Sequence, residues 1–253
     1  MSADPREVGS GSVDAGEIAR FSDLAETWWD PSGPMAPLHQ LNPARLGYIR
    51  DKIAGHYRRD AYAPGPLKDL TVLDIGCAGG LLCEPLTRLG AHVTGIDAAA
   101  ENVAVAQSHA EAMRLDIDYR HGAPEDLAGE GARFDAVLAL EVVEHVADVD
   151  AFVHAAASLV KPGGLLIAST LNRTAKSFAL AIVGAEYLLR WLPAGTHDWR
   201  KFLKPSELAR SLRAAGLTVE DLSGLGFDPF RKSWQVGRDV GVNYILTALK
   251  PAS

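Results

Sequence analysis

The stretch VLALEVVEHVADVD, residues 137–150, runs four apolar residues, Val137 to Leu140, straight into Glu141, Glu144 and His145. Ionisable side chains beside a buried run are costly to desolvate unless they are used, so their chemistry is the first question. A histidine titrates close to neutral pH and can act as a general base. Two carboxylates and an imidazole can hold a hard divalent ion such as Mg²⁺, which lowers the pKa of a bound hydroxyl. In the structural alternative Glu141 only orients a ligand's ribose or amine and His145 caps a helix. Glu141 and His145 are four residues apart, on one face of a helical turn starting there. The catalytic candidates are therefore His145 and Glu141, and the candidate metal ligands are Glu141, Glu144 and His145.

A second constellation precedes it. VLDIGCAGG, residues 72–80, reads as a strand entering a glycine-rich turn with a helix beyond. Gly76, Gly79 and Gly80 let backbone approach a ligand, and the helix N-terminus offers free N–H groups. Asp97 ends the next strand, about 20 residues on, where an acid grips ribose hydroxyls. The dinucleotide pattern G-x-G-x-x-G is not met, because Ala78 stands at the second glycine. Asp74, two residues before the turn, would repel a pyrophosphate and suits a cationic amine. S-adenosylmethionine carries an adenosine, a cationic amino acid and a sulfonium, and no phosphate, so the acidic turn favours it.

Positioning these groups requires a sheet. LTVLDIG, AHVTGID, DYRHG, FDAVLAL and GGLLIAST read as strands, with helices over 80–89, 99–115 and 148–160 between most of them. Such alternation predicts an α/β fold with a doubly wound, mostly parallel sheet. LTVEDLSGLGF and VNYILTALK supply the last two of seven strands, and KPSELARSLRAAG a helix with Ser206 as cap and Gly216 as stop. Residues 17–29 and 42–59 read as N-terminal helices. The proline-rich WWDPSGPMAPLHQLNP between them reads as a loop that packs on the domain or covers a site. Residues 1–16 read as a disordered tail without a secretory h-region. The rest forms one domain, 17–250, with an N-terminal lid region at 17–60 and a helical insertion at 171–204 after the fifth strand.

The 253 residues, 47% of them hydrophobic, suffice for such a core, and the net charge of −7 argues against a nucleic-acid partner. Cys77 and Cys83 lack a Cys-x-x-Cys spacing and read as reduced thiols of a cytosolic protein. No uncharged apolar run reaches 18 residues, so no transmembrane span is expected.

VLDIGCAGG, VTGID, FDAVLALEVVEH and LVKPGGLLIAST resemble the seven-strand methyltransferases that use S-adenosylmethionine, over about 70–170. FSDLAETWWDPSGPMAPLHQLNPARLGYI, STLNRTAKSFALAIVGAEYLLRWLPAGTHDWRKFLKPSEL and GVNYILTALK narrow the resemblance to the O-methyltransferases of ubiquinone biosynthesis, from about Ile18 to Lys250. It implies cofactor contacts at Arg45, Gly76, Asp97 and Leu140. Ala78 and Leu140 depart from the family's common Gly and Met without removing a charge. It also implies methylation of catechol-type hydroxyls on a 2-polyprenyl-6-hydroxyphenol and a demethylubiquinol, and, by analogy with some relatives, a divalent ion.

A polyprenyl tail costs tens of kcal/mol to bring into water, at about 0.8 kcal/mol per CH₂. The enzyme is therefore expected in the cytoplasm, peripherally associated with the inner face of the membrane, with ubiquinone-biosynthesis proteins as further candidate partners. KSFALAIVGAEYLLRWLPAG, apolar with basic and aromatic margins, is the interfacial candidate; the alternative is a core-packed helix. The rival functions are a methyltransferase for another small molecule, such as a quinone C-methylase, and a membrane-associated S-adenosylmethionine-binding sensor. An oxidoreductase fits least.

Overall fold

In the computed structural model, which describes residues 12–22, 24–178, 199–228, 230–231 and 233–252, neighbouring residues of each apolar run face opposite sides of one sheet. Val72, Val93, Ala136, Leu138, Leu165 and Ile167 pack on one side. Leu73, Ile96, Val137, Ala139, Leu166 and Ala168 pack on the other. This is the period-two geometry of strands buried on both faces. The strands are β1 (Thr71–Ile75), β2 (His92–Asp97), β3 (Asp118–His121), β4 (Phe134–Leu140), β5 (Val160–Leu171), β6 (Thr218–Asp228), β7 (Ser233–Gly237) and β8 (Asn243–Leu249).

Their order is β3-β2-β1-β4-β5-β8-β6-β7. The first five pair in parallel, and β8 is antiparallel to both β5 and β6. The sheet has eight strands where seven were expected. The addition is β7, an antiparallel edge partner of β6, whose only sequence signal is the alternation of Trp234 and Val236.

Helices cover both faces. One layer holds α2 (Ala36–His56), α3 (Cys83–Arg88) and α4 (Ala100–Ala112); the other holds α5 (Pro124–Gly129), α6 (Val149–Ser158) and α8 (Pro205–Ala214). The short α5 carries no long apolar period and was not expected. Asp148 caps α6 by accepting the Ala151 N–H at 3.0 Å. In α8 the expected cap, Ser206, lies one residue inside the helix: Pro205 takes the first turn and Glu207 accepts the Lys204 N–H at 2.9 Å. Gly216, at φ +83°, follows the helix as its stop.

The N-terminal region departs most from expectation. Helix α1 (Ala15–Ser22) is shorter than the 17–29 expected and is followed by a 3-10 turn, Ala25–Thr27. Helix α2 begins at Ala36 rather than 42, with Pro37 in its first turn, where a missing N–H is harmless, and Pro43 inside it. Burial of Leu41, Tyr48, Ile49 and Ile53 on the sheet outweighs the backbone bond that Pro43 cannot make. The boundary of the expected tail also moves. The Ser12 N–H donates to Glu125 Oε1 at 3.1 Å and its carbonyl accepts from Ala147 at 2.7 Å, so residues 12–16 pack on the domain; residues 1–11 lie outside the described residues. Of the expected insertion, α7 (Ala175–Ser177) and a 3-10 turn, Trp199–Lys201, are described, and 179–198 lie outside. No helix among the described residues is long and apolar enough to cross a membrane.

Candidate active site

The parallel order reverses between β1 and β4, and side chains cannot fill the crevice where neighbouring connections diverge to opposite faces. A cavity of about 460 Å³ lies there, lined among others by Arg45, Asp74, Gly76, Asp97, Leu140, Glu141, Glu144 and His145. The candidate catalytic, metal and cofactor residues thus reach one cavity, whereas Gly79 and Gly80 of the turn do not line it.

The glycine turn forms its floor. Gly76 adopts φ +70°, and a Cβ there would lie 3.0 Å from Val142 Cγ2. Ala78 is also left-handed, at φ +49°, a conformation that disfavours any residue with a Cβ. Its N–H donates to Asp97 Oδ2 at 2.9 Å, which holds it there. Asp97 Oδ1 accepts the Ala99 N–H at 2.9 Å and Asn102 Nδ2 at 3.1 Å. Burial nevertheless raises the Asp97 pKa, against these three donors. A carboxylate has about four acceptor positions, so one remains for a ligand. Asp74 is 4% exposed, and among the described residues its carboxylate accepts only a weak thiol donor, Cys83 Sγ, at 3.4 Å. Burial pushes its pKa up to about 7, with the Asp97 charge adding and the Cys83 thiol and Arg45 opposing.

The roof is the N-terminal region. Phe21, Leu24, Trp28, Met35 and Leu38 line it. Trp28 lies so close over Gly79 that a Cβ there would stand 2.4 Å from Trp28 Cβ. Trp29 does not line the cavity. It donates to the Gly79 carbonyl at 2.8 Å and stacks on His109 with 3.5 Å between ring centroids.

Folding gives the residues of the acidic cluster different partners. Glu141 has φ +53°, and this turn swings its carboxylate toward Arg45 Nη2 at 2.6 Å, Ser169 Oγ at 2.8 Å and Asn243 Nδ2 at 3.4 Å. Glu144 is 3% exposed, and burial together with the Glu141 charge raises its pKa well above the ordinary carboxylate range. His145 faces α1 instead: its Nδ1 lies 3.2 Å from Glu17 Oε2, and its ring meets Phe21 edge-on at 5.2 Å. Lys201 Nζ reaches Glu17 at 3.2 Å and Asp14 at 3.1 Å, fastening α1 to the segment before α8. The expected Glu141–Glu144–His145 metal centre does not match this placement. Among the described residues no group of three or more His, Cys, Asp or Glu side chains could hold an ion. Arg45 occupies one carboxylate, and burial disfavours the ionised form of the other, which a metal ion would need.

A methyltransferase-domain family model matches residues 46–222. The ubiquinone biosynthesis O-methyltransferase of Azorhizobium caulinodans is 55% identical over 98% of this chain and 97% of its own. That of Methylocella silvestris is 54% identical over 98% and 99%. The chain belongs to the ubiquinone biosynthesis O-methyltransferases. It is an S-adenosylmethionine-dependent O-methyltransferase. Solved structures share the fold at lower identity. Magnesium protoporphyrin IX methyltransferase from Synechocystis PCC 6803, with bound SAH, superposes with a TM-score of 0.59 at 21% identity, covering 92% of this chain and 94% of that one. The PH0226 protein of Pyrococcus horikoshii OT3 gives 0.61 at 15%, covering 91% and 98%.

The cavity of this O-methyltransferase fits its cofactor chemically. Asp74, with no strong donor of its own, suits an ammonium; Arg45, in the same cavity, suits a carboxylate; and Asp97 keeps an acceptor position for ribose. Sequence inspection found Asp74 through its incompatibility with phosphate. It missed Glu17 and Asn102, because no local pattern marks a residue whose partner lies far along the chain.

Proposed function

We propose that the chain methylates catechol-type hydroxyls of polyprenylated ubiquinone precursors, a 2-polyprenyl-6-hydroxyphenol and a demethylubiquinol, at a membrane surface. The observation that carries this reading is the division of one cavity. Asp74, Asp97 and the glycine turn stand on its floor, the imidazole of His145 stands against Glu17, and the roof is apolar. S-adenosylmethionine supplies an electrophilic sulfonium methyl group when bound. Arg45 and Asp74 hold the two charges of its amino-acid end, Gly76 and Leu140 pack against it, and Asp97 accepts a ribose hydroxyl. Glu141 fixes Arg45 from behind, so it is a positioning residue. His145 takes the phenol proton: the Glu17 carboxylate, 3.2 Å from its Nδ1, favours the imidazolium that forms. The roof residues exclude water and admit an apolar ring. The names of the curated relatives support ubiquinone biosynthesis as the pathway. The test is incubation of the purified protein with labelled S-adenosylmethionine and each synthetic phenol. A methyl ether product from both supports the reading, and a C-methylated product or none sinks it.

Membrane contact is assigned to the insertion. Phe178, at its start, is 46% exposed, and the rest of 179–198 lies outside the described residues, so this part rests on the aromatic and basic margins of its sequence. Replacing Phe178, Ile182 and Leu189 together by Ser is expected to reduce flotation with anionic liposomes and activity on long-tailed substrate. Activity on a short-tailed soluble analogue should persist. Equal loss on both substrates, at unchanged cofactor affinity, would place these residues in the core.

A further inference from the structure

Asn102 stands in the first turn of α4, 1% exposed, on the wall of the cavity. Its amide spans two elements that the sequence keeps apart. The Nδ2 end donates to Asp97 Oδ1 at 3.1 Å, and the Oδ1 end accepts from Trp28 Nε1 at 2.8 Å. Trp28 is 5% exposed and lies against Gly79. The backbone of that same turn returns to Asp97 through the Ala78 N–H. The contacts close a ring: Asp97, Asn102, Trp28, Gly79, Ala78 and Asp97 again. An amide has one donating and one accepting end, so the two partners together fix its orientation. Leucine could make neither contact, and an ionised aspartate would set a second charge against Asp97.

We propose that Asn102 is a positioning residue that ties the seating of S-adenosylmethionine on Asp97 to the seating of the Trp28 roof. The inference rests on the reading that Asp97 holds the cofactor's ribose. With Asn102 in place, the carboxylate is presented in the rotamer that grips the ligand, and the indole is held down over the glycine turn. Each site then stabilises the other, and linkage makes the effect reciprocal: the ligand tightens the roof as much as the roof tightens the ligand.

The test is a double-substitution cycle on the intact chain, read as S-adenosylmethionine affinity by calorimetry and as hydrogen exchange over residues 24–45. Trp28→Phe keeps the ring and removes the indole donor; Asn102→Ala removes both bonds. Trp28→Phe should weaken affinity about tenfold, the equivalent of one buried hydrogen bond, and Asn102→Ala by at least as much. In Asn102→Ala, KM for the cofactor should rise by a larger factor than kcat falls. The double variant should lose no more than Asn102→Ala alone, and ligand-induced protection of 24–45 should vanish in all three. Losses that multiply, or protection that survives in Asn102→Ala, would overturn the coupling. Unchanged affinity in Asp97→Ala would overturn the ribose reading itself, and the inference with it. Should Asn102→Ala fold poorly, Trp28→Phe alone decides: wild-type affinity with ligand-induced protection of 24–45 intact would overturn the coupling.

Discussion

His145→Ala is expected to lower kcat by about 10²–10⁴ while leaving S-adenosylmethionine affinity little changed, and EDTA is expected to leave the wild-type rate unaltered. A phenol with a pKa near 10 is ionised to only about one part in 10³ at pH 7, a deficit of about 4 kcal/mol. Proximity to the methyl donor contributes to the rate but does not remove the proton. His145 lines the cavity against the Glu17 carboxylate at 3.2 Å. Glu141 is engaged by Arg45 and Ser169, and burial together with the Glu141 charge disfavours the ionised form of Glu144. Single-turnover rates of the variant with a phenol substrate decide the matter. Near-normal turnover would remove His145 as the base, and loss of wild-type activity in EDTA restored by Mg²⁺ would return the acidic cluster to a metal role.

Asp74→Asn should have two opposite effects. Cofactor affinity should fall by about ten- to a hundredfold, the loss of a hydrogen bond to a charged partner. The ligand-free protein should become more stable at alkaline pH. The sign follows from the direction of the shift. Burial raises the Asp74 carboxyl from 3.8 to about 7, so the folded state binds its proton more tightly than the unfolded chain. The associated stability is fully present below pH 3.8 and is lost as the pH rises through 7. Above pH 7 the loss is on the order of 4 kcal/mol, and an amide, which never ionises, escapes it. Urea unfolding at pH 4.5 and pH 8 should therefore show a variant advantage that grows with pH. Binding of the cationic amine should ionise Asp74 and release a proton below pH 7, so wild-type affinity should weaken as the solution is acidified. An advantage equal at both pH values would mean that Asp74 ionises freely in the empty cavity.

The sequence by itself determined the sheet and the positions of the chemistry along it. Val72 to Ile75, Phe134 to Leu140 and their counterparts are short apolar runs broken by glycine turns. Strand alternation and turn geometry are local properties, legible in a few neighbouring residues. The same locality placed Gly76, Asp97, Leu140, Glu141 and His145 at strand ends, and the doubly wound order carries strand ends to one crevice. Edge strand β7 and helix α5 were too short for a period to declare itself. The start of α2 was hidden because prolines read as loop, until the burial of Leu41 and Tyr48 outweighs them.

Only the tertiary structure decided what the charged groups do. Glu141 and His145, four apart, looked like one face of a single site. The left-handed backbone of Glu141 separates them, turning one to Arg45 and the other to Glu17. Trp28 and Asn102 meet although they are 74 positions apart in the sequence. Such pairings form when α1 and α2 fold back over the strand ends. A carboxylate's pKa and its partner are set by the burial and the charges that folding brings to it, and a linear pattern holds neither.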